Sequence, residues 1–252
     1  MSFRLDGKVA LVTGASRGIG RAIALAYADA GADVALLARD TELLEQVGAE
    51  VRDRGRRSLV LAADVLDAAA VAGAVDAVAG GLGHLDIVVN NAGGNSFSAA
   101  LATMRFAGWA KTQALNVESV VHVCQSAIPY LATTRGSIIN VASVAGLRGA
   151  PLMSHYAAAK AAVLSLTQSL ALELAHQGVR VNALVPGWIE TDLTEFLRAS
   201  TETESGLLSR VPMQRWGTVQ EIAEPAVFLA SDASRFMTGQ QLVVDGGLSA
   251  MP

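Results

Sequence analysis

Residues 8–20 read Lys8-Val9-Ala10-Leu11-Val12-Thr13-Gly14-Ala15-Ser16-Arg17-Gly18-Ile19-Gly20. The first half, Lys8 to Thr13, is a short apolar run rich in β-branched residues, the signature of a buried strand. Glycine stops it. A helix is expected over Arg21–Ala30, closed by Gly31 as a helix C-terminus usually is. A glycine-rich turn between a buried strand and a helix sets free amides and a partial positive charge where phosphates bind. The glycine spacing is GxxxGxG rather than GxGxxG. Position makes up for that difference: after a first strand, Gly14, Ser16, Arg17, Gly18, Ile19 and Gly20 are expected to hold a dinucleotide.

Working outward, strand and helix patterns alternate to the end of the chain. Strands are expected at Asp33–Ala38, Ser58–Ala63, Leu85–Val89, Ser137–Ala142, Val179–Val185 and Gln240–Val244. Helices are expected at Thr41–Arg54, Asp67–Ala79, Phe106–Leu131, Ser154–Gln177 and Val219–Ala230, with an irregular segment over Pro186–Trp216. Strands that are apolar along their whole length belong to a parallel sheet covered on both faces. The expectation is a single Rossmann-type α/β domain, residues 1–252, with a doubly wound parallel sheet of about seven strands flanked by helices.

In such a sheet the end of the second strand selects the cofactor. A carboxylate there suits the ribose diol of NAD, and positive charge suits the 2′-phosphate of NADP. Ala38-Arg39 occupies that turn and Asp40 comes late, while Arg17 lies in the glycine loop. NADP(H) is therefore preferred, with NAD(H) possible. The plainer alternative leaves Arg39 in solvent.

Farther along stands Tyr156-Ala157-Ala158-Ala159-Lys160. On a helix, residues four apart share a face. An ammonium beside a phenol favours phenolate, so the tyrosine pKa, about 10 in water, is expected to fall toward neutrality. Moving it by about three pH units takes roughly 4 kcal/mol. One lysine supplies less than that, so an oxidised nicotinamide nearby is expected to help.

Taken together, Thr13 to Gly20, Asn90-Asn91-Ala92-Gly93, Asn116, Ser143, Tyr156 to Lys160 and Pro186-Gly187 resemble the short-chain dehydrogenase/reductase family. The likeness covers essentially the whole chain, including Asp245-Gly246-Gly247, and is nearest the 3-oxoacyl-carrier-protein reductase-like subgroup. It implies that Tyr156 is the acid/base, that Lys160 lowers its pKa and binds the nicotinamide ribose, and that Ser143 donates to the substrate oxygen. It also implies that Asn116 holds a water linking Lys160 to solvent. By the same likeness Asp64 and Val65 meet the adenine, and Asn91, Ala92 and Gly93 line the adenosine and ribose. Pro186, Gly187, Ile189 and Thr191 contact the nicotinamide end. Asp64 has a second reading, as the cap of the helix that starts near Asp67.

A substrate lid is expected over residues 188–215, where Trp188, Leu193, Phe196, Leu197, Leu207 and Leu208 give it an apolar underside. Gly94 to Phe97, Leu147 and Met153 are expected to complete the pocket, and Arg148 either greets an acidic substrate or faces water. The preferred substrate is a ketone or secondary alcohol. Fatty-acid reduction, which needs a basic mouth for an acidic carrier protein, is the alternative, and a non-catalytic NADP(H)-binding sensor is the alternative of another class.

The chain has 252 residues, 52% apolar and 17% charged, with a formal net charge of −4. That balance argues against a nucleic-acid partner. One cysteine, Cys124, rules out a disulfide framework and reads as a buried thiol. His84, His122, His155 and His176 lack metal-ligand spacing, so no metal is expected. His155 reads as structural or as part of the pocket rim. Without a signal-type leader or an apolar run of about 18 residues, a cytoplasmic protein with no membrane span is expected. The family likeness implies a homotetramer or homodimer, with Ala157, Ala158, Ala161 and Ala162 allowing close helix contact.

Overall fold

The computed structural model describes residues 3–198 and 200–251; the side chain of Phe196, assigned above to the lid, lies outside the described residues. The elements run β1 (Val9–Thr13), α1 (Gly18–Ala30), β2 (Asp33–Ala38), α2 (Thr41–Asp53), β3 (Ser58–Ala62), α3 (Ala68–Leu82), β4 (Ile87–Asn90) and α4 (Phe106–Gln113). They continue with α5 (Ser119–Thr134), β5 (Ser137–Val141), α6 (Ser154–Leu174), β6 (Arg180–Pro186), α7 (Glu195–Arg198), α8 (Thr201–Leu208), α9 (Val219–Ala230) and β7 (Gln241–Val244).

All seven strands lie in one parallel sheet in the order β3-β2-β1-β4-β5-β6-β7. The two-residue period of a strand splits its apolar side chains between the faces. Ala10, Val12, Val34 and Leu36 enter one core with α1 and α9; Val9, Leu11, Ala35 and Leu37 enter the other with α3, α5 and α6. The chain reverses direction of travel across the sheet between β1 and β4, which opens a crevice at their carboxyl ends.

Several boundaries differ from expectation for local reasons. Gly18, Ile19 and Gly20 form the first turn of α1 rather than a loop before it. Helix α3 runs past Gly80-Gly81 to Leu82 and is closed by Gly83 at φ 100°. Strand β4 takes in Asn90, which is buried and donates to Asn140 Oδ1 at 2.8 Å. The helix expected over 106–131 is interrupted by a π-turn, Ala114–Glu118, between α4 and α5. The segment read as irregular holds α7 and α8.

Candidate active site

The crevice is knitted by Thr13. Its hydroxyl donates to Val89 O at 3.2 Å and accepts from the amides of Asn91 and Ala92, both at 3.0 Å. Asn91 Nδ2 donates back to Thr13 O at 2.9 Å and Gly14 O at 3.2 Å. Gly20 is the tightest point: a Cβ there would stand 2.3 Å from Gly14 O and 2.4 Å from Asn91 Nδ2. Helix α1 starts at Arg17 with no side-chain cap and no acidic residue in its first turn. Its first amides therefore stay open, the donor set a pyrophosphate needs. The residues present fit a dinucleotide.

Arg17 and Arg39, the two cations assigned to a 2′-phosphate, are both exposed. Each faces a carboxylate at 4.0 Å, Arg17 against Asp192 and Arg39 against Asp64. Asp40 is occupied as the cap of α2, accepting from Leu43 N at 3.1 Å. Asp64 is not the cap of α3; Asp67 takes that place, accepting from Ala69 N and Ala70 N. Asp64 instead closes a local turn onto Leu66 N, and Val65 is buried with its carbonyl 3.1 Å from His122 Nδ1.

Two of the assigned catalytic residues, Asn116 and Lys160, converge on Gly93. A Cβ at Gly93 would stand 2.7 Å from Asn116 Oδ1 and 3.4 Å from Lys160 Nζ. Asn116 sits in the π-turn and is fully buried. Its Nδ2 donates to Thr112 O and Gly94 O, and its Oδ1 accepts from Gly94 N, all at 3.0 Å. By taking the carbonyl of Thr112, four residues back, the side chain occupies the acceptor of a regular helical bond. π-turns of this kind recur at functional sites.

Lys160 is 5% exposed, donates to Val141 O at 2.9 Å, and holds its Nζ 5.7 Å from the centre of the Tyr156 ring. Burial lowers its ammonium to about 8. Tyr156 goes the other way from expectation: burial pushes the phenol up to about 12, and the Ser143 hydroxyl, a hydrogen-bonding neighbour, opposes the rise. Tyr156 is half-buried, so solvent trims the rise without reversing it. Lys160 by itself does not bring about the expected lowering. Desolvation outweighs a cation that is itself destabilised and aimed at a backbone carbonyl. Ser143 Oγ also accepts from Ala145 N at 3.2 Å, which fixes the turn after β5.

On the far side, Pro186 ends β6 and Gly187 N donates to Val244 O at 3.0 Å. Ile189 is buried and pairs with Gly217. Thr191 Cγ2 lies 3.7 Å from the position a Gly18 Cβ would take, and Leu193 Cδ1 lies 3.6 Å from that of Gly94. Thr191 and Leu193 thus lie close to the glycine loop and to the loop after β4. Trp216, edge-on to Trp188 at 6.0 Å, ties α8 down through Glu204 at 2.7 Å. Arg148 donates to Ser249 O and is not free to meet a substrate. Cys124 is buried as expected, its thiol pushed up to about 12.

Sequence reading missed Thr13, Val141 and the Asn95–His155 contact. A polar β-branched residue ending an apolar strand was a usable signal for the first. A backbone carbonyl carries none. Among the described residues, no group of three His, Cys, Asp or Glu side chains could hold a metal, and no helix is long and apolar enough to cross a membrane.

A family model described as Enoyl-(Acyl carrier protein) reductase, one of the short-chain dehydrogenase/reductase models, matches residues 14–249. The chain belongs to the short-chain dehydrogenase/reductase family. Members of this family interconvert CH–OH and C=O groups with NAD(P), and this chain is an oxidoreductase of that kind. It is 39% identical to a 3-oxoacyl-(acyl-carrier-protein) reductase of Thermotoga maritima over 97% of this chain and 99% of the relative. A gluconate 5-dehydrogenase of Burkholderia cenocepacia, solved with NADP and tartrate, superposes with a TM-score of 0.95 at 37% identity, covering 100% of this chain and 98% of that one. A carveol dehydrogenase of Mycobacterium avium, solved with NAD, does so with a TM-score of 0.95 at 30% identity, covering 98% and 99%.

Proposed function

We propose that this short-chain dehydrogenase/reductase is an NADP(H)-dependent enzyme that interconverts an uncharged ketone and its secondary alcohol, with Tyr156 as acid/base. The observation that carries the reading is the convergence of Asn116 and Lys160 on Gly93, with Ser143 beside the Tyr156 phenol. The cofactor, when bound, supplies the hydride acceptor or donor at nicotinamide C4. In reduction Tyr156 gives its proton to the carbonyl oxygen while Ser143 donates to the same oxygen and spreads the developing charge. A phenol held near 12 keeps its proton at neutral pH, the form that reduction requires. In oxidation the phenol must lose its proton, and positive charge beside it, from Lys160 and from an oxidised nicotinamide when one is bound, would favour that loss. Lys160 Nζ and Asn116 Oδ1 face one space, where a water would pass the proton on toward solvent.

Preference for NADP(H) rests on Arg17 and Arg39. Exposed pairs at 4.0 Å are worth little, so both guanidiniums are available to a 2′-phosphate. Asp64, Val65, Asn91, Ala92, Gly93, Pro186, Gly187, Ile189 and Thr191 border the same crevice in this reading. An uncharged substrate is favoured by the rim. Arg148 is engaged with Ser249 O and Arg198 with Glu190 and Thr191 O, while Asp192 and Glu195 are exposed. An acidic carrier protein, as the Thermotoga relative's name implies for that protein, needs the opposite charge. A second copy of the chain would pack on the small exposed face of α6 at Ala158 and Ala161.

The test follows NADPH absorbance with a panel of uncharged ketones, with Tyr156→Phe alongside. We expect turnover in the wild type and loss of about 10²–10⁴-fold in the variant, with NADPH affinity kept. Tight NADPH binding without turnover of any carbonyl compound would overturn the enzymatic reading, and full activity of Tyr156→Phe would overturn the acid/base role.

A further inference from the structure

The residue before the tyrosine has no part in the chemistry above, yet it is the more deeply placed of the two. His155 is fully buried. Its Nε2 lies 2.9 Å from Asn95 Oδ1, and since a carbonyl oxygen only accepts, Nε2 carries the proton. Nδ1 has no hydrogen-bond partner among the described residues. Burial lowers the imidazole pKa, which keeps the neutral, singly protonated ring. Phe97 stacks on that ring with centroids 4.1 Å apart and planes 14° apart. The Cζ end of the Phe97 ring lies close to α4, where a Cβ on Gly108 would stand 2.9 Å from it. Gln113 Nε2, at the end of α4, donates to His155 O at 2.8 Å, and Ala99 N donates to Leu152 O at 2.9 Å.

These contacts fasten one stretch of loop. Residue 94 is held by Asn116, with Leu193 Cδ1 3.6 Å from where a Cβ on it would stand; residues 95 and 97 are held by His155; residue 99 is held by the turn before α6. The stretch therefore borders the cleft between Lys160, the lid and the first turn of the helix that carries Tyr156. A loop without secondary structure is otherwise the most adaptable wall of such a pocket.

We propose that His155 is a positioning residue that clamps Asn95 and Phe97 onto α6, presetting the substrate wall and limiting the bulk of the carbonyl substituent that lies against it. The role rests on the reading of the site as a carbonyl/alcohol oxidoreductase. It acts on the carbonyl compound, leaving NADPH binding alone, because the glycine loop and the arginines make none of these contacts.

The experiment compares Asn95→Ala, His155→Phe, which keeps an aromatic partner for Phe97, and the double variant. Hydrogen exchange of amides 94–99 is measured without substrate, and kinetics are run with ketones of increasing bulk. Exchange in that stretch should rise roughly three- to tenfold in each single variant, the worth of one buried hydrogen bond, and no further in the double. The ketone KM should rise by a similar factor, bulky ketones should gain on small ones, and NADPH affinity should stay. Gly108→Ala should shift the same preference by pushing the Phe97 ring, although alanine suits a helix better than glycine. Unchanged loop exchange overturns the clamp. Raised exchange with unchanged ketone KM and bulk preference, or with a matching loss of NADPH affinity, overturns the pocket role. A wild type that turns over no carbonyl compound overturns the functional reading and the pocket role together, and the exchange result then stands apart.

Discussion

Replacing Lys160 by methionine should make the empty protein more stable while removing its activity. Burial lowers the ammonium from an ordinary 10.5 to about 8. At about 1.4 kcal/mol per pH unit, holding the charge inside the fold costs on the order of 3 kcal/mol at neutral pH. Methionine removes that penalty but leaves Val141 O without its donor, a loss of about 1 kcal/mol. The net gain is about 2 kcal/mol, or roughly 4–8 °C in Tm for a chain of this size. The sign with pH follows from proton counting. Below about 8 both the folded and unfolded wild type hold the proton and the penalty is full. Between about 8 and 10.5 the folded chain has released a proton that the unfolded chain keeps, so wild-type stability rises. The advantage of Lys160→Met should therefore shrink across that window, reach zero near its upper end and reverse slightly above it, where only the lost hydrogen bond to Val141 O remains. Tyr156, held near 12, destabilises the fold above pH 10 in both proteins and cancels in the difference. Urea denaturation of both proteins without cofactor, from pH 6.5 to 10, reads the effect. A variant less stable at pH 7, or a gap that does not move with pH, would refute the reasoning.

Asn116→Ala removes three buried hydrogen bonds at once, to Gly94 N, Gly94 O and Thr112 O, and should cost about 2–4 kcal/mol in a denaturant titration. A loss below about 0.5 kcal/mol would mean the π-turn does not depend on that side chain. Arg39→Asp should lower the NADPH-to-NADH ratio of kcat/KM by at least about tenfold, since one charge-assisted contact is worth about 1.5–3 kcal/mol. An unchanged ratio would take Arg39 out of the phosphate site.

What could be read from the sequence follows the strength of its periodic signals. Each strand stood out as an apolar run, because a sheet covered on both faces leaves no polar side to mix in. Gly31 marked the end of α1 correctly, as a residue that takes φ 106° without strain. Gly80-Gly81 misled because nothing lies within 4 Å of a Gly80 Cβ and the helix tolerates the pair until Gly83. The π-turn was invisible since one extra residue barely disturbs an apolar stripe, and α7 and α8 are too short to show a period. The elements that carry Asn116, Tyr156 and Lys160 were legible; the charge states of the last two were not. Spacing says that Tyr156 and Lys160 share a face, and on that ground alone the phenol should be acidic. Burial is a property of the whole fold, and it raises the phenol while it weakens the cation meant to lower it. Lys160 is buried with a backbone carbonyl and, among the described residues, no carboxylate partner, an arrangement that packing alone would not favour. A carboxylate partner would keep the lysine charged but would oppose phenolate beside it. In the proposed role, a cation without a carboxylate beside it would leave the acidity of Tyr156 to be set by whatever binds next to it.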